Sequence, residues 1–158
     1  MNNMGKKVSD SLTEQIQIVL SGYINGQKRL FGGKIMEWID VVAGVVARRH
    51  SGYDVTTAAV DNLQFKAPAK LNSTVILIGK ITYVGNTSME VKVTTYVEEL
   101  NGERKLINVA YLVLVAIDDN NKPVKVPPLI LETSEEKQEW EAGKKRNELR
   151  KQRRKENF

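Results

Sequence analysis

The stretch best equipped for chemistry holds two carboxylates and a pair of glycines. Asp40 lies in Ile35 to Ala47, a 13-residue run broken by charge only at Glu37 and Asp40. An ionised carboxylate on an enclosed helix costs several kcal/mol unless it is paired, hydrogen-bonded or needed for function. Two plainer alternatives remain open, that its face of the helix reaches solvent or that it caps a neighbouring amide. Glu37 shares that face at i, i+3 spacing but lies one turn nearer the helix start and reads as a solvated acid, so the two carboxylates do not by themselves make an acid/base pair. Asn25 to Gly33 (Asn-Gly-Gln-Lys-Arg-Leu-Phe-Gly-Gly) leads into the run. Consecutive glycines at a helix start expose backbone N–H groups to an anion or to a carbonyl oxygen gaining negative charge. A tight turn beneath a sheet would use the same glycines. A phosphate-binding P-loop is excluded, because Ile35 follows Gly33-Lys34 and no glycine precedes Gly33 by five residues.

These groups need elements to hold them. A run of about 10 to 14 apolar residues is too short to span a membrane and suits a core helix. Apolar residues at 35, 36, 38, 39, 41, 42, 45 and 46 point in nearly every direction, which predicts a helix enclosed by other structure. Arg48, Arg49 and His50 sit where cations offset the C-terminal dipole, with Gly52 as a stop. Val55 to Ile117 reads as strands: Thr87 to Val97 alternates apolar and polar, while Thr74 to Val84 and Leu106 to Ile117 are more continuously apolar. Gly85-Asn86 and Asn101-Gly102 between them tolerate positive φ in tight hairpins. Thr13 to Leu20 and Val55 to Phe65 complete an antiparallel sheet wrapped around one long helix, an α+β fold. Both faces of Leu106 to Ala116 are apolar and one helix covers only one face, so a partner is expected on the other. After Pro127-Pro128 the chain turns to Glu, Lys and Arg; Thr133 or Ser134 could cap an exposed or frayed helix through Trp140 toward Arg154. The expected organisation is a flexible N-terminus over residues 1–11, one domain over 12–130 and a charged helical or disordered extension over 131–158.

Composition removes most common hydrolase chemistries. Among 158 residues there is no cysteine and one histidine, so thiolate nucleophiles and histidine-clustered metal sites are excluded and no metal site is expected. His50 reads as a C-terminal cap residue. The net charge of +5 invites a nucleic-acid partner, but residues 143–158 hold 8 basic and 2 acidic side chains and the remainder 16 basic and 17 acidic. The basicity therefore belongs to a tail. Clustered cations there suit a polyanion or an anionic membrane surface, whereas Glu148 and Glu156 interspersed among them fit a solvated helix. Met1 to Asp10 has two lysines and no apolar segment long enough for a secretory signal, so a cytoplasmic location is expected.

Asn25 followed by Phe31-Gly32-Gly33-Lys34-Ile35-Met36-Glu37-Trp38-Ile39-Asp40 resembles the pattern of hotdog-fold acyl-CoA thioesterases. The similarity continues through Val55 to Asp61, Phe65-Lys66-Ala67-Pro68, Val84 to Glu90 and Ala116-Ile117-Asp118. The resemblance implies a sheet curled around a long helix, dimers often assembled into trimers of dimers, and active sites at the subunit interface. It implies that Asn25 of one subunit meets Asp40 of the other at the thioester. Asp40 would then activate water or attack directly, Asn25 would position water or carbonyl, and the Gly32 and Gly33 amides would stabilise the oxyanion. Lys28 and Asn72 stand where the family commonly has glycine.

Coenzyme A is polyanionic, and the candidates to bind it are Arg29, Lys66 and the Thr87-Ser88 pair, the last carried by the resemblance. No cofactor is implied beyond coenzyme A as part of substrate and product, and no membrane insertion. A non-catalytic acyl-CoA binding or sensing protein on the same fold is the alternative. The presence of both Asn25 and Asp40 weighs against it.

Overall fold

A computed structural model describes residues 4–158. Five strands form one antiparallel sheet: β2 (Thr13–Ile18), β3 (Asp54–Phe65), β4 (Thr74–Val84), β5 (Ser88–Glu98) and β6 (Arg104–Ile117), in the order β2-β4-β5-β6-β3. The long helix α2 (Gly32–Ser51) lies across the inner face. The strands fall where period-two patterning and turn residues place them. Of the two expected turns, only that at residues 101–102 uses positive φ, at Gly102 (φ 87°).

Helix α2 buries Ile35, Trp38, Ile39, Val42, Ala43, Val46 and Ala47, a stripe at helical spacing. Gly79 lets sheet and helix approach closely: an added Cβ there would lie 2.6 Å from Val42 Cγ1 and 2.9 Å from Val46 Cγ2. Gly52 ends the helix in a left-handed conformation (φ 75°), its N–H bonding Arg48 O. The helix is not enclosed all round. Met36, Glu37, Asp40 and Val41 form an exposed stripe, because the sheet covers one face only and nothing among the described residues covers the other. His50 does not act as a cap: its ring is buried and Nε2 meets Pro127 O at 2.8 Å, which makes it a core tie to a distant loop.

Residues 6–11, expected within a flexible terminus, carry regular structure; Met1 to Asn3 lie outside the described residues. Strand β1 (Lys6–Lys7) pairs in parallel with β7 (Leu129–Ile130), and a single-turn helix α1 (Val8–Ser11) follows. Lys6 Nζ donates to Arg49 O at 3.0 Å, placing a cation on the carbonyl end of α2.

The charged extension is a helix, α3 (Ser134–Glu156), started by a reciprocal capping box between Thr133 and Glu136. One face is docked on the outer surface of the sheet. The Trp140 and Tyr83 rings stand 4.5 Å apart, and at Gly143 an added Cβ would lie 2.8 Å from Tyr83 Cβ. The Arg146 guanidinium sits 3.8 Å over the Tyr111 ring. Part of the outer face of β6 is thus covered within the chain, where the strand pattern alone had required a partner. Among the described residues, no helix is long and apolar enough to cross a membrane.

Candidate active site

Asp40 projects from the exposed stripe of α2, so the first of the plainer alternatives holds within one chain: its carboxylate reaches solvent. Thr57 Oγ1 on β3 donates a 2.7 Å hydrogen bond to Asp40 Oδ1. This short charge-assisted bond fixes one carboxylate oxygen and leaves the other free. The pair stands at a depression of about 370 Å³ whose walls include Gly33, Met36, Val60, Leu63 and Leu112. Met36 is a wall of this depression, while Trp38 is buried against Tyr23 with ring centroids 5.6 Å apart. Glu37 pairs with Lys34 at 2.9 Å as a solvated acid, but it lies beyond the first turn of α2, which holds no acid.

Asn25 lines a separate depression of about 410 Å³, together with Arg29, Gly32, Phe65 and Lys66. Its Oδ1 accepts from Gln27 N at 2.9 Å and Arg29 N at 3.3 Å, folding the loop about the side chain. Lys28, where the resemblance expects glycine, holds φ 59°, and Asn72 holds φ 68°. Both keep the left-handed backbone glycine would supply, asparagine with less steric penalty than lysine. Within one chain no hydrogen bond joins Asn25 to Asp40.

The glycine pair links the two depressions. Gly32 lines the one holding Asn25 and Gly33 the one holding Asp40. They begin α2, where first-turn amides have no intrahelical acceptor and carry the positive end of the dipole. Gly33 is also a close approach, since an added Cβ would lie 2.5 Å from Phe31 Cε1. The four coenzyme A candidates divide: Arg29 and Lys66 lie beside Asn25, while Thr87 and Ser88 line a different groove, across the sheet from α2. Thr57 was not found from sequence, because a threonine in a strand carries no sign that its hydroxyl faces a carboxylate 17 residues away. Among the described residues, no group of three or more acidic or histidine side chains could hold a metal ion.

Comparison with known proteins bears on this arrangement. Residues 27–102 match the family model of the thioesterase superfamily. The chain is 42% identical over 113 residues to the uncharacterized acyl-CoA thioester hydrolase YkhA of Bacillus subtilis, an alignment covering 71% of this chain and 66% of that protein. It spans 31% of the length of the rat cytosolic acyl coenzyme A thioester hydrolase. Among solved structures it is similar to the acyl-CoA hydrolase of Staphylococcus aureus in complex with butyryl coenzyme A, coenzyme A and coenzyme A disulfide, with a TM-score of 0.91 and 33% identity over 96% of this chain and 93% of that one. An apo-hexameric acyl-CoA thioesterase matches with a TM-score of 0.91 and 37% identity, covering 95% and 97% of the two chains. The staphylococcal enzyme has also been solved with an aspartate, an asparagine or a threonine replaced by alanine. A sheet wrapped around one helix, relatives at 33–42% identity and solved structures matched over nearly their whole length agree: this chain belongs to the thioesterase superfamily and has the hotdog fold of its acyl-CoA hydrolases.

Proposed function

We propose that the chain hydrolyses the thioester of fatty acyl-CoA to free acid and coenzyme A in the cytoplasm, at a site shared between subunits. The observation that carries this reading is the Thr57-held carboxylate of Asp40 at the mouth of an apolar depression bordered by Gly33. The depression would take the acyl chain and the free carboxylate oxygen a water proton. Water oxygen bonds to the carbonyl carbon as Asp40 accepts the proton, the first-turn amides of α2 receive the developing oxyanion, and the C–S bond then breaks with the thiolate leaving to be protonated. Coenzyme A is part of substrate and product, and no further cofactor enters the step.

Asn25 enters this site from a second copy. Its Nδ2 has no hydrogen-bond partner among the described residues and remains a free donor. Phe31, Met36, Val41, Val60 and Phe65 are all exposed along the same side as the edge strand β3, an apolar rim that a partner would cover. The working unit is then a dimer at least, and a trimer of dimers on the precedent of the hexameric relative. Nucleic acid has no part in this reading.

Thiol release from an acyl-CoA panel tests it. Wild type turns over, and Asp40→Asn and Asn25→Ala each fall by about 10²- to 10⁴-fold. Equal rates for all three remove both residues from the mechanism, and tight acyl-CoA binding without turnover by wild type establishes the non-catalytic alternative.

A further inference from the structure

Among the described residues, five buried side-chain polar atoms lack a hydrogen-bond partner: Ser11 Oγ, His50 Nδ1, Thr95 Oγ1 and both Oδ1 and Nδ2 of Asn108. Three of the five belong to one cross-strand pair. Thr95 on β5 stands directly opposite Asn108 on β6, and both residues are 0% exposed. Two residues further along each strand Val93 faces Ala110, and two beyond that Val91 faces Leu112, which lines the Asp40 depression together with Ile39 of α2. The period of two therefore puts Thr95 and Asn108 on the helix side of the sheet. Asn108 is also opposite Phe65 on β3, and a Cβ added at Gly32 would lie 3.6 Å from the Phe65 ring, so the pair sits beneath the start of α2. The ladder is interrupted at the same place. Register shifts just past Thr95, leaving Ile107 without an opposite residue, and β3 ends at Phe65.

A buried donor or acceptor with no partner has given up its hydration for nothing in return. The other two atoms stand singly: His50 Nε2 meets Pro127 O, which leaves Nδ1 the bare acceptor of a neutral ring, and Ser11 Oγ has no second unpaired atom across from it. At the Thr95–Asn108 pair, donors and acceptors converge. The carboxamide donates at one end and accepts at the other, and the threonine hydroxyl does both, so an occupant must do both as well. Charge is excluded. Of the described buried residues only His50 and Glu90 titrate, one in the last turn of α2 and the other on the outer face of the sheet, and an ion without a counter-charge in an apolar interior is strongly disfavoured. We propose that Thr95 and Asn108 form a binding site for an uncharged hydrogen-bonding molecule, occupied by at least one buried water that bridges the two side chains. The water ties β5 to β6 where their backbone ladder breaks, under the helix turn that carries Gly32 and Gly33. The site does not depend on the hydrolase reading.

Two measurements on the full chain test it. In wild type, a high-resolution crystal structure should show a water within about 2.7–3.2 Å of Thr95 Oγ1 and of one end of the Asn108 amide, and the Asn108 side-chain amide protons should show magnetisation transfer from a long-lived water in solution. A dry contact by both methods overturns the proposal. The second measurement is a double-mutant cycle of Thr95→Val, Asn108→Leu and the two combined, read by denaturant unfolding with circular dichroism to confirm folding. Each single replacement strands the water and the side chain opposite and should raise the unfolding constant at least about tenfold, whereas the pair leaves nothing to satisfy and should fall within severalfold of wild type. Single replacements that each stabilise the chain, with effects that add, mean that the polar atoms were unpaired in a dry core and overturn the proposal. Should a single variant fail to fold, the wild-type water signals decide: present, they support the site, and absent, they overturn it.

Discussion

The two faces of the sheet treat charge in opposite ways. On the outer face Glu90 is 1% exposed, yet it receives Arg146 at 2.7 Å, Arg150 at 3.0 Å and the Thr82 hydroxyl at 2.7 Å, while Lys92 pairs with Glu139. Glu90 and Lys92 are thus both answered by the same chain. On the inner side Asp40 has one hydroxyl partner and Asn25 keeps a free amide, both beside exposed apolar side chains. The contrast teaches that a polar group completed within its own chain serves folding, whereas one left open beside an unpartnered apolar surface is available for a second molecule.

The sharpest way to break the contrast is to mix inactive copies. Asp40→Asn and Asn25→Ala chains, each reduced about 10²- to 10⁴-fold, should regain about one quarter of wild-type activity after co-refolding, since half the dimers then carry one intact site of two. No recovery would mean that each chain builds its site alone. Stability should answer the other way: Glu90→Ala strands two arginines and costs about 3–5 kcal/mol, while Asp40→Asn changes the unfolding free energy from denaturant titration by less than about 1 kcal/mol.

How much of this was legible in the sequence depended on whether a signal was local. Strand β4 has the bounds its apolar run predicts, and Asn72 adopts the left-handed turn that its residue type permits. Helix α2 begins at Gly32, ahead of the apolar run, because the glycine pair is absorbed into its first turn. Asp40 was singled out as a carboxylate in an apolar run and Asn25 by its spacing from the glycine pair, but not Thr57, whose contact with Asp40 exists only once β3 lies beside α2. Glu90 and Lys92 read as solvent-facing from alternation. They do occupy the outer face, and only the docking of α3 buries Glu90. A signal for that docking was present in Trp140, Gly143, Arg146 and Arg150, spaced three and four apart along one helical face.

Smaller effects sharpen the comparison. Thr57→Val should lower kcat about tenfold by releasing Asp40, with the melting temperature little changed; an equal loss of stability would make the threonine a folding residue. Acid should act on the outer face. Burial alone would push the Glu90 carboxyl up, but hydrogen bonds from Arg146 and Thr82 and the charge of Arg146 outweigh it and hold the group below its ordinary 4.5. Its stabilisation is then complete above pH 4.5 and is lost as pH falls through the folded-state value. Melting temperature should therefore drop more steeply below pH 4.5 in wild type than in Glu90→Gln. The smallest shift is expected from Gly143→Ala, whose Cβ must displace Tyr83 or Glu90. Overpacking of about 1–3 kcal/mol opposes about 1 kcal/mol gained in helix propensity, so thermal unfolding should show slight net destabilisation.

The Asn25 loop carries a consequence for assembly. Its side-chain carbonyl already accepts two backbone amides, and Lys28 already occupies the left-handed turn that closes the loop. An arriving copy therefore meets a carboxamide whose direction is settled in advance, so little ordering entropy remains to be lost on contact. Pairing can then resemble the docking of two finished surfaces.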